Sequence, residues 1–139
     1  MKMSIRFTLA IELLLLCEKN KDNNKITSTF IAEQTRVSPL IIRQIMADLS
    51  SRGIIESKKG VGGISLLKPL NKITLLDVYQ SIGEDEGTFL KFPNSEGIDI
   101  PDYEKNLSEW MKLDFIKIRK SFEKELSVRT VADYYKSFE

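Results

Sequence analysis

Arg43 and Gln44 carry side chains of the types that form paired hydrogen bonds with base edges. A guanidinium group bonds O6 and N7 of guanine, and a carboxamide bonds N6 and N7 of adenine. Leu40 and Ala47 are of the types that contact the methyl group of thymine. Because these residues and Ser51 recur at helical spacing, they are predicted to share one helix face. That face is predicted to contact double-stranded DNA, although a solvated helix surface could carry the same residues.

The helix that must position this face is predicted to begin at Ser38 and to end near Gly53. Serine is a favoured N-cap, and Pro39 at the first helical position loses no hydrogen bond there. The opposite face is an apolar stripe at helical spacing, and Asp48 lies at the margin between the two faces. The stripe consists of Ile42, Ile45, Met46 and Leu49.

A shorter helix is predicted to precede it, opening at Thr27, Ser28 and Thr29, which are all of N-cap type. Two helices joined by a tight turn form a helix-turn-helix, in which the second helix can enter a major groove. Ser28 and Ser38, at the starts of the two helices, are included among the predicted DNA-binding residues.

A glycine-tipped hairpin follows the second helix. Residues 54–59 form a strand-like run, residues 60–63 make a turn in which glycine accepts positive φ, and residues 64–67 return. Such a wing can lie against phosphates or in the minor groove beside the helix, although an ordinary exposed hairpin would have the same turn. The predicted contacts are Lys58, Lys59, Gly60 and Gly62.

Three further helices are predicted, one near the start of the chain and two near its end. The run from Phe7 to Cys17 predicts a buried first helix, since it contains Glu12, lacks a small-residue cleavage site and is too short to span a bilayer. Cys17 lies on its apolar stripe and is interpreted as a core residue. Residues 103–126 predict a long helix with more apolar surface than a small domain usually buries, and a last short helix is predicted from Ser127.

The chain resembles the Rrf-type family of bacterial winged-helix repressors through an ordered set of short blocks. The family commonly has arginine where Lys59 stands, proline where Val61 stands and glycine where Ile64 stands, so minor-groove contact is expected to be less selective here. The matching blocks are residues 1–4, 31–33, 37–38, 59–63, 68–69 and 73–78.

The resemblance implies a mainly α fold with a small β-hairpin wing. It implies a winged helix-turn-helix domain over residues 1–83, an acidic loop over 84–102, and a dimerisation helix with a short C-terminal helix over 103–139. An ordinary core helix is the alternative for the long helix. A two-fold dimer would place two recognition helices about one DNA turn (~34 Å) apart on a palindromic operator. The predicted dimerisation residues are Leu107, Trp110, Met111, Phe115, Ile118 and Phe122.

The residue inventory argues against a metal, a cofactor and an enzyme. Cluster-binding relatives carry three cysteines in the loop that corresponds to residues 84–102, whereas this chain has one cysteine in total and no histidine. No cofactor and no metal are therefore predicted. Without histidine the commonest general base is absent, and no nucleophile or phosphate-binding motif is present.

The charge distribution supports DNA as the partner. Residues 1–72 hold 12 Lys and Arg against 6 Asp and Glu, while residues 73–139 hold 9 against 14. A basic half that carries the motif would orient the molecule on a polyanion. The expected protein is thus a cytoplasmic homodimeric repressor without a membrane segment, and its effector, a small molecule or a protein, is left open. The alternative is a winged-helix module that binds a protein and has lost DNA binding.

Overall fold

The structure is a computed structural model that describes residues 3–22, 25–58, 62–83 and 90–138. It is mainly α with one β-hairpin, which confirms the predicted fold class. Two single turns of 3-10 helix, Leu70–Lys72 and Val131–Tyr134, connect the longer elements. These elements are α1 (Ile5–Lys19), α2 (Ser28–Thr35), α3 (Pro39–Ser51), β1 (Ile55–Ser57), β2 (Ile64–Leu66), α4 (Leu75–Ser81), α5 (Asp102–Ser127) and α6 (Tyr135–Phe138).

The helix-turn-helix forms where the local capping residues predicted it. The Thr27 hydroxyl accepts a hydrogen bond from the backbone N–H of Phe30 at 3.0 Å, and the Ser38 hydroxyl accepts one from Leu40 at 3.2 Å. Between the helices, Arg36 ends α2 in the left-handed region at φ 59°. The predicted start of α3 at Ser38 and Pro39 is confirmed.

The core lies between α1, α3, α4 and the hairpin. Ile42, Ile45 and Leu49 of α3 are fully buried, as the apolar stripe predicted, and Met46 packs at its edge. The prediction of a buried first helix is also confirmed, because most of its apolar residues are inaccessible. Each such side chain contributes roughly 1.5–3 kcal/mol to folding, so this core holds α3 rigidly from behind.

The wing is tied to the segment that precedes α2. β1 and β2 pair antiparallel with Ile55 opposite Leu66, and the backbone N–H of Ile64 donates to the carbonyl of Ile26 at 2.9 Å. A Cβ atom on Gly63 would lie 3.3 Å from the Ile26 backbone, so this close approach favours glycine. The hairpin is therefore packed on the domain and does not project freely from it.

The C-terminal half begins with a capping box and ends by returning to the core. Thr74 and Asp77 exchange both hydrogen bonds of the box at the start of α4. The predicted helix start at Ser127 is wrong, because α5 continues through Ser127 and the next helical turn starts at Val131. The reason is a second capping box formed by Thr130 and Asp133, which starts the later turn.

The final segment belongs to the same packed unit as the winged helix. The N–H of Val131 donates to the carbonyl of Ile73 at 2.9 Å, and the Val131 side chain is fully buried. Among the described residues, no helix is long and apolar enough to cross a membrane.

Candidate nucleic-acid interface

The exposed face of α3 carries every residue predicted for base contact. Leu40 is 58% exposed, and Arg43, Gln44, Ala47 and Ser51 are also exposed. Within the described part of the chain, neither Arg43 nor Gln44 has a hydrogen-bonding or ionic partner. Because the opposite face is packed into the core, these side chains project from a fixed helix toward solvent.

The two predicted serines occupy different positions. Ser38 is exposed, and its hydroxyl oxygen already accepts the hydrogen bond from the Leu40 N–H. Ser28 is the first residue of α2 and is half-buried, while Thr27 makes the capping bond there. Both serines lie at helix starts, where free backbone N–H groups and the helix dipole favour anions such as phosphate.

The wing carries an exposed lysine beside its turn. Lys58 is exposed at the end of the β1 side, and its backbone is closed across the turn by hydrogen bonds with Gly62 and Gly63 at 3.1 and 2.9 Å. Gly62 adopts φ +74°, as the predicted glycine turn requires. Lys59 and Gly60, also predicted as contacts, lie outside the described residues. Because β1 packs against α3, the wing is attached to the helix that carries the exposed face.

An ion pair that sequence reasoning missed joins α1 to this surface. The Arg6 guanidinium donates a hydrogen bond to the carboxylate of Asp48, at the margin of the exposed face of α3. The residues are 42 positions apart, so no local pattern signalled the pair. Both side chains are about one-third exposed.

A cleft of about 710 Å³ lies between the C-terminal end of α1 and the outer side of the wing. Lysines and acidic residues form its rim, and none of its lining residues belongs to α5. Cys17 lines its floor but is only 2% exposed, which confirms its prediction as a core residue. Burial raises the pKa of the Cys17 thiol to about 12, with a smaller contribution from Glu18.

The long helix α5 has an apolar surface that the described residues do not cover. None of its residues is buried, and its contacts with the core come mainly from Phe122 and Leu126 near its end. Of the predicted dimerisation residues, Leu107, Trp110 and Ile118 are exposed, whereas Met111 and Phe115 are half-buried. Phe122 packs edge-on against Tyr79 of the same chain, with ring centroids 5.7 Å apart. The aromatic ring of Phe122 is therefore already packed within the same chain.

The residues of this chain do not fit an iron–sulfur cluster. Cluster ligands are usually several cysteine thiolates, and the sequence has one cysteine and no histidine. That cysteine is enclosed in α1 with a pKa raised to about 12, which opposes the thiolate form. Among the described residues, no group of three or more His, Cys, Asp or Glu side chains could hold a metal ion.

The helix-turn-helix, the attached wing and the exposed polar face define a winged-helix protein of the DNA-binding regulator class. The model of the family Rrf2, described as iron-dependent transcriptional regulator, matches residues 3–137. The chain therefore belongs to the Rrf2 family, which confirms the resemblance found in the sequence. This family consists of transcriptional regulators, not enzymes.

Named relatives support the same assignment. YwgB of Bacillus subtilis (strain 168), whose name places it among HTH-type transcriptional regulators, is 40% identical over 83 residues, which are 59% of this chain and 53% of YwgB. In that match the chain spans about half the length of the relative. YwnA of the same strain, named in the same way, is 27% identical over 130 residues, which are 92% of each chain.

Solved structures share the fold at low sequence identity. A transcriptional regulator from Lactobacillus plantarum superposes with a TM-score of 0.80 at 23% identity, covering 98% of this chain and 91% of the other. IscR of T. potens superposes with a TM-score of 0.69 at 23% identity, covering 100% of this chain and 89% of the other. At these identities the likeness shows the fold alone.

Proposed function

We propose that this chain is a sequence-specific transcriptional repressor that binds a palindromic operator in double-stranded DNA. The observation that carries the proposal is the exposed face of α3, on which Arg43 and Gln44 have no partner among the described residues. The buried opposite face fixes the backbone of α3, so the two side chains are presented from a rigid helix when they meet base edges. Membership of a family of transcriptional regulators supports the same function.

The surface around this face suits the negative charge of DNA. Lys58 projects from the wing, and the first 72 residues carry twice as many cations as acids. Phosphate contacts from such residues supply sequence-independent affinity and fix the register in which the recognition helix lies. The role of Lys59 and Gly60 at the tip of the wing is proposed from the sequence alone.

We further propose that the repressor is a homodimer joined through the N-terminal half of α5. Tyr103, Leu107, Trp110 and Leu113 recur at helical spacing there, and all are exposed. A monomer that leaves so large an apolar patch in water is unusual, and a two-fold interface between identical helices would cover it. Phe122 is left out of this proposed surface because it packs on Tyr79.

The repressor is proposed to work without an iron–sulfur cluster. The support is the ligand inventory given above, since the single thiol is buried in α1 and held in its protonated form. Repression then follows from occupancy of the operator, because a dimer bound there excludes other proteins from the same DNA.

Selection of bound duplexes from a random DNA pool, followed by gel-shift titration, tests this function. We expect recovery of a palindromic sequence that binds better than competitor DNA at moderate salt, and a dimer by light scattering. Mapping the bound sites in cells and measuring transcription after deletion tests repression, for which adjacent genes should be derepressed. If no duplex binds better than competitor, the repressor proposal fails, and a protein-binding winged-helix module becomes the better account.

A further inference from the structure

We propose that Arg6 is a positioning residue that neutralises Asp48 where the recognition helix faces DNA phosphates. The inference rests on the proposed function and assigns a role to a residue outside the helix-turn-helix. Arg6 lies in the first turn of α1, and its guanidinium donates to the Asp48 carboxylate on α3. The pair therefore links two helices that are packed against each other in the core.

The position of Asp48 makes its charge important. It is the one acidic residue in α3, and it follows Gln44 by four residues, which places the two on neighbouring parts of the helix surface. Its side chain is 35% exposed, so its charge is not hidden from a ligand. A bare carboxylate at this margin would repel the phosphate backbone, whereas a carboxylate paired with a guanidinium presents little net charge.

The backbone that carries Arg6 is anchored in the core. The neighbouring residue Phe7 is buried in the core and packs edge-on against Tyr79, so the backbone of this turn is anchored. The Arg6 Nε atom is itself buried and has no hydrogen-bond partner in the described part of the chain, so the outer Nη2 atom makes the contact with Asp48. The planar guanidinium group of arginine fixes the direction of a hydrogen bond better than the ammonium group of lysine does.

This role differs from that of an ordinary stabilising ion pair. If the pair only stabilised the fold, loss of either partner would have the same effect on DNA binding. If Arg6 acts by neutralising Asp48, loss of Arg6 leaves a repelling charge, while loss of Asp48 leaves none. The two single substitutions must then act in opposite directions.

A double-mutant cycle in the full chain tests this difference. The proteins are wild type, Arg6→Gln, Asp48→Asn and the double variant, titrated with a selected operator duplex and with an unrelated duplex at low and moderate salt. Arg129→Gln is the matched control, because Arg129 also pairs with a carboxylate, that of Glu125, but in the exposed C-terminal region. Thermal unfolding of every protein is measured alongside.

We expect Arg6→Gln to weaken binding to both duplexes by roughly three- to ten-fold at low salt, with a smaller loss as salt screens the charge. Asp48→Asn should bind at least as tightly as wild type, and the double variant should bind like Asp48→Asn. The control Arg129→Gln should leave both affinities unchanged.

Two results would overturn the inference while leaving the proposed function intact. The first is a double variant as weak as Arg6→Gln, which would mean that Arg6 acts on DNA directly. The second is an equal loss of affinity and melting temperature in both single variants, which would mean a purely structural pair. If wild type itself binds no duplex above competitor, the proposed function fails and the inference fails with it.

Discussion

The winged-helix region and the long helix α5 bury their apolar residues in opposite ways. In α1, α3 and α4 most apolar side chains are enclosed by neighbouring elements of the same chain, whereas α5 has no buried residue at all. The winged-helix region also carries an excess of positive charge, whereas α5 has six acidic and six basic residues and no net charge. The apolar residues of the winged-helix region are thus mostly covered within one chain, while α5 has an uncovered apolar surface that a second chain could cover.

Breaking the proposed dimer is the change with the largest expected effect. Trp110→Glu places a charge on the exposed apolar surface of α5, where the indole is 67% exposed. We expect a monomer by light scattering and operator binding weakened by about 100-fold or more, since the two half-sites would no longer be bound by one molecule. Val128→Glu is the control, because Val128 is 65% exposed at the other end of the helix. A dimeric Trp110→Glu protein would contradict the proposed surface.

Equal truncations in the two regions should have unequal effects on folding. Ile45→Ala removes a side chain of α3 that is 0% exposed and should lower the free energy of unfolding by about 2–5 kcal/mol, because it leaves a cavity in the core. Ile116→Ala removes a side chain of α5 that is 51% exposed, and it should change the free energy of unfolding by at most about 0.5 kcal/mol. Denaturant unfolding measures both. Similar losses in the two variants would remove the contrast between the regions.

Within the winged-helix region, the recognition helix and the wing should separate specificity from affinity. Gln44→Ala should cost about 1–3 kcal/mol on the preferred sequence and relax the preference at one base pair. Lys58→Ala, the matched control, should weaken all sequences about equally and lower the salt slope by about one. Binding to a panel of single-base operator variants measures both. An equal loss on every sequence from Gln44→Ala would refute its role in base contact.

The prediction with the smallest effect at neutral pH concerns the buried thiol of the winged-helix region. Because burial raises the Cys17 pKa to about 12, the folded chain resists ionisation that the unfolded chain undergoes near its ordinary value of 9.0. The protonated Cys17 thiol therefore makes its full contribution to the free energy of unfolding below pH 9. That contribution declines as the pH rises from 9 toward 12. Relative to Cys17→Ala, wild type should lose stability over that interval in denaturant titrations. Parallel pH profiles for the two proteins would contradict an enclosed, protonated thiol.

Local features explain why so much of the winged-helix region was predictable. Ser38 and Pro39 start α3, and Thr74 with Asp77 starts α4, through contacts between residues at most three positions apart. Apolar spacing likewise identified the buried face of α3 without knowledge of its neighbours. The start of the last helical turn was mispredicted because Ser127 is also of capping type, while the capping box that forms is at Thr130.

The sequence by itself determined the helix-turn-helix, the first helix, the long helix, the hairpin, the exposed face with Arg43 and Gln44, and the single cysteine, because caps, periodicity and residue types are local properties. Only the tertiary structure decided that Arg6 pairs with Asp48, that Ile64 bonds to Ile26, and that Phe122 packs on Tyr79. These contacts join residues far apart along the chain. They depend on how complete elements pack together, and no short pattern of residue types encodes that packing.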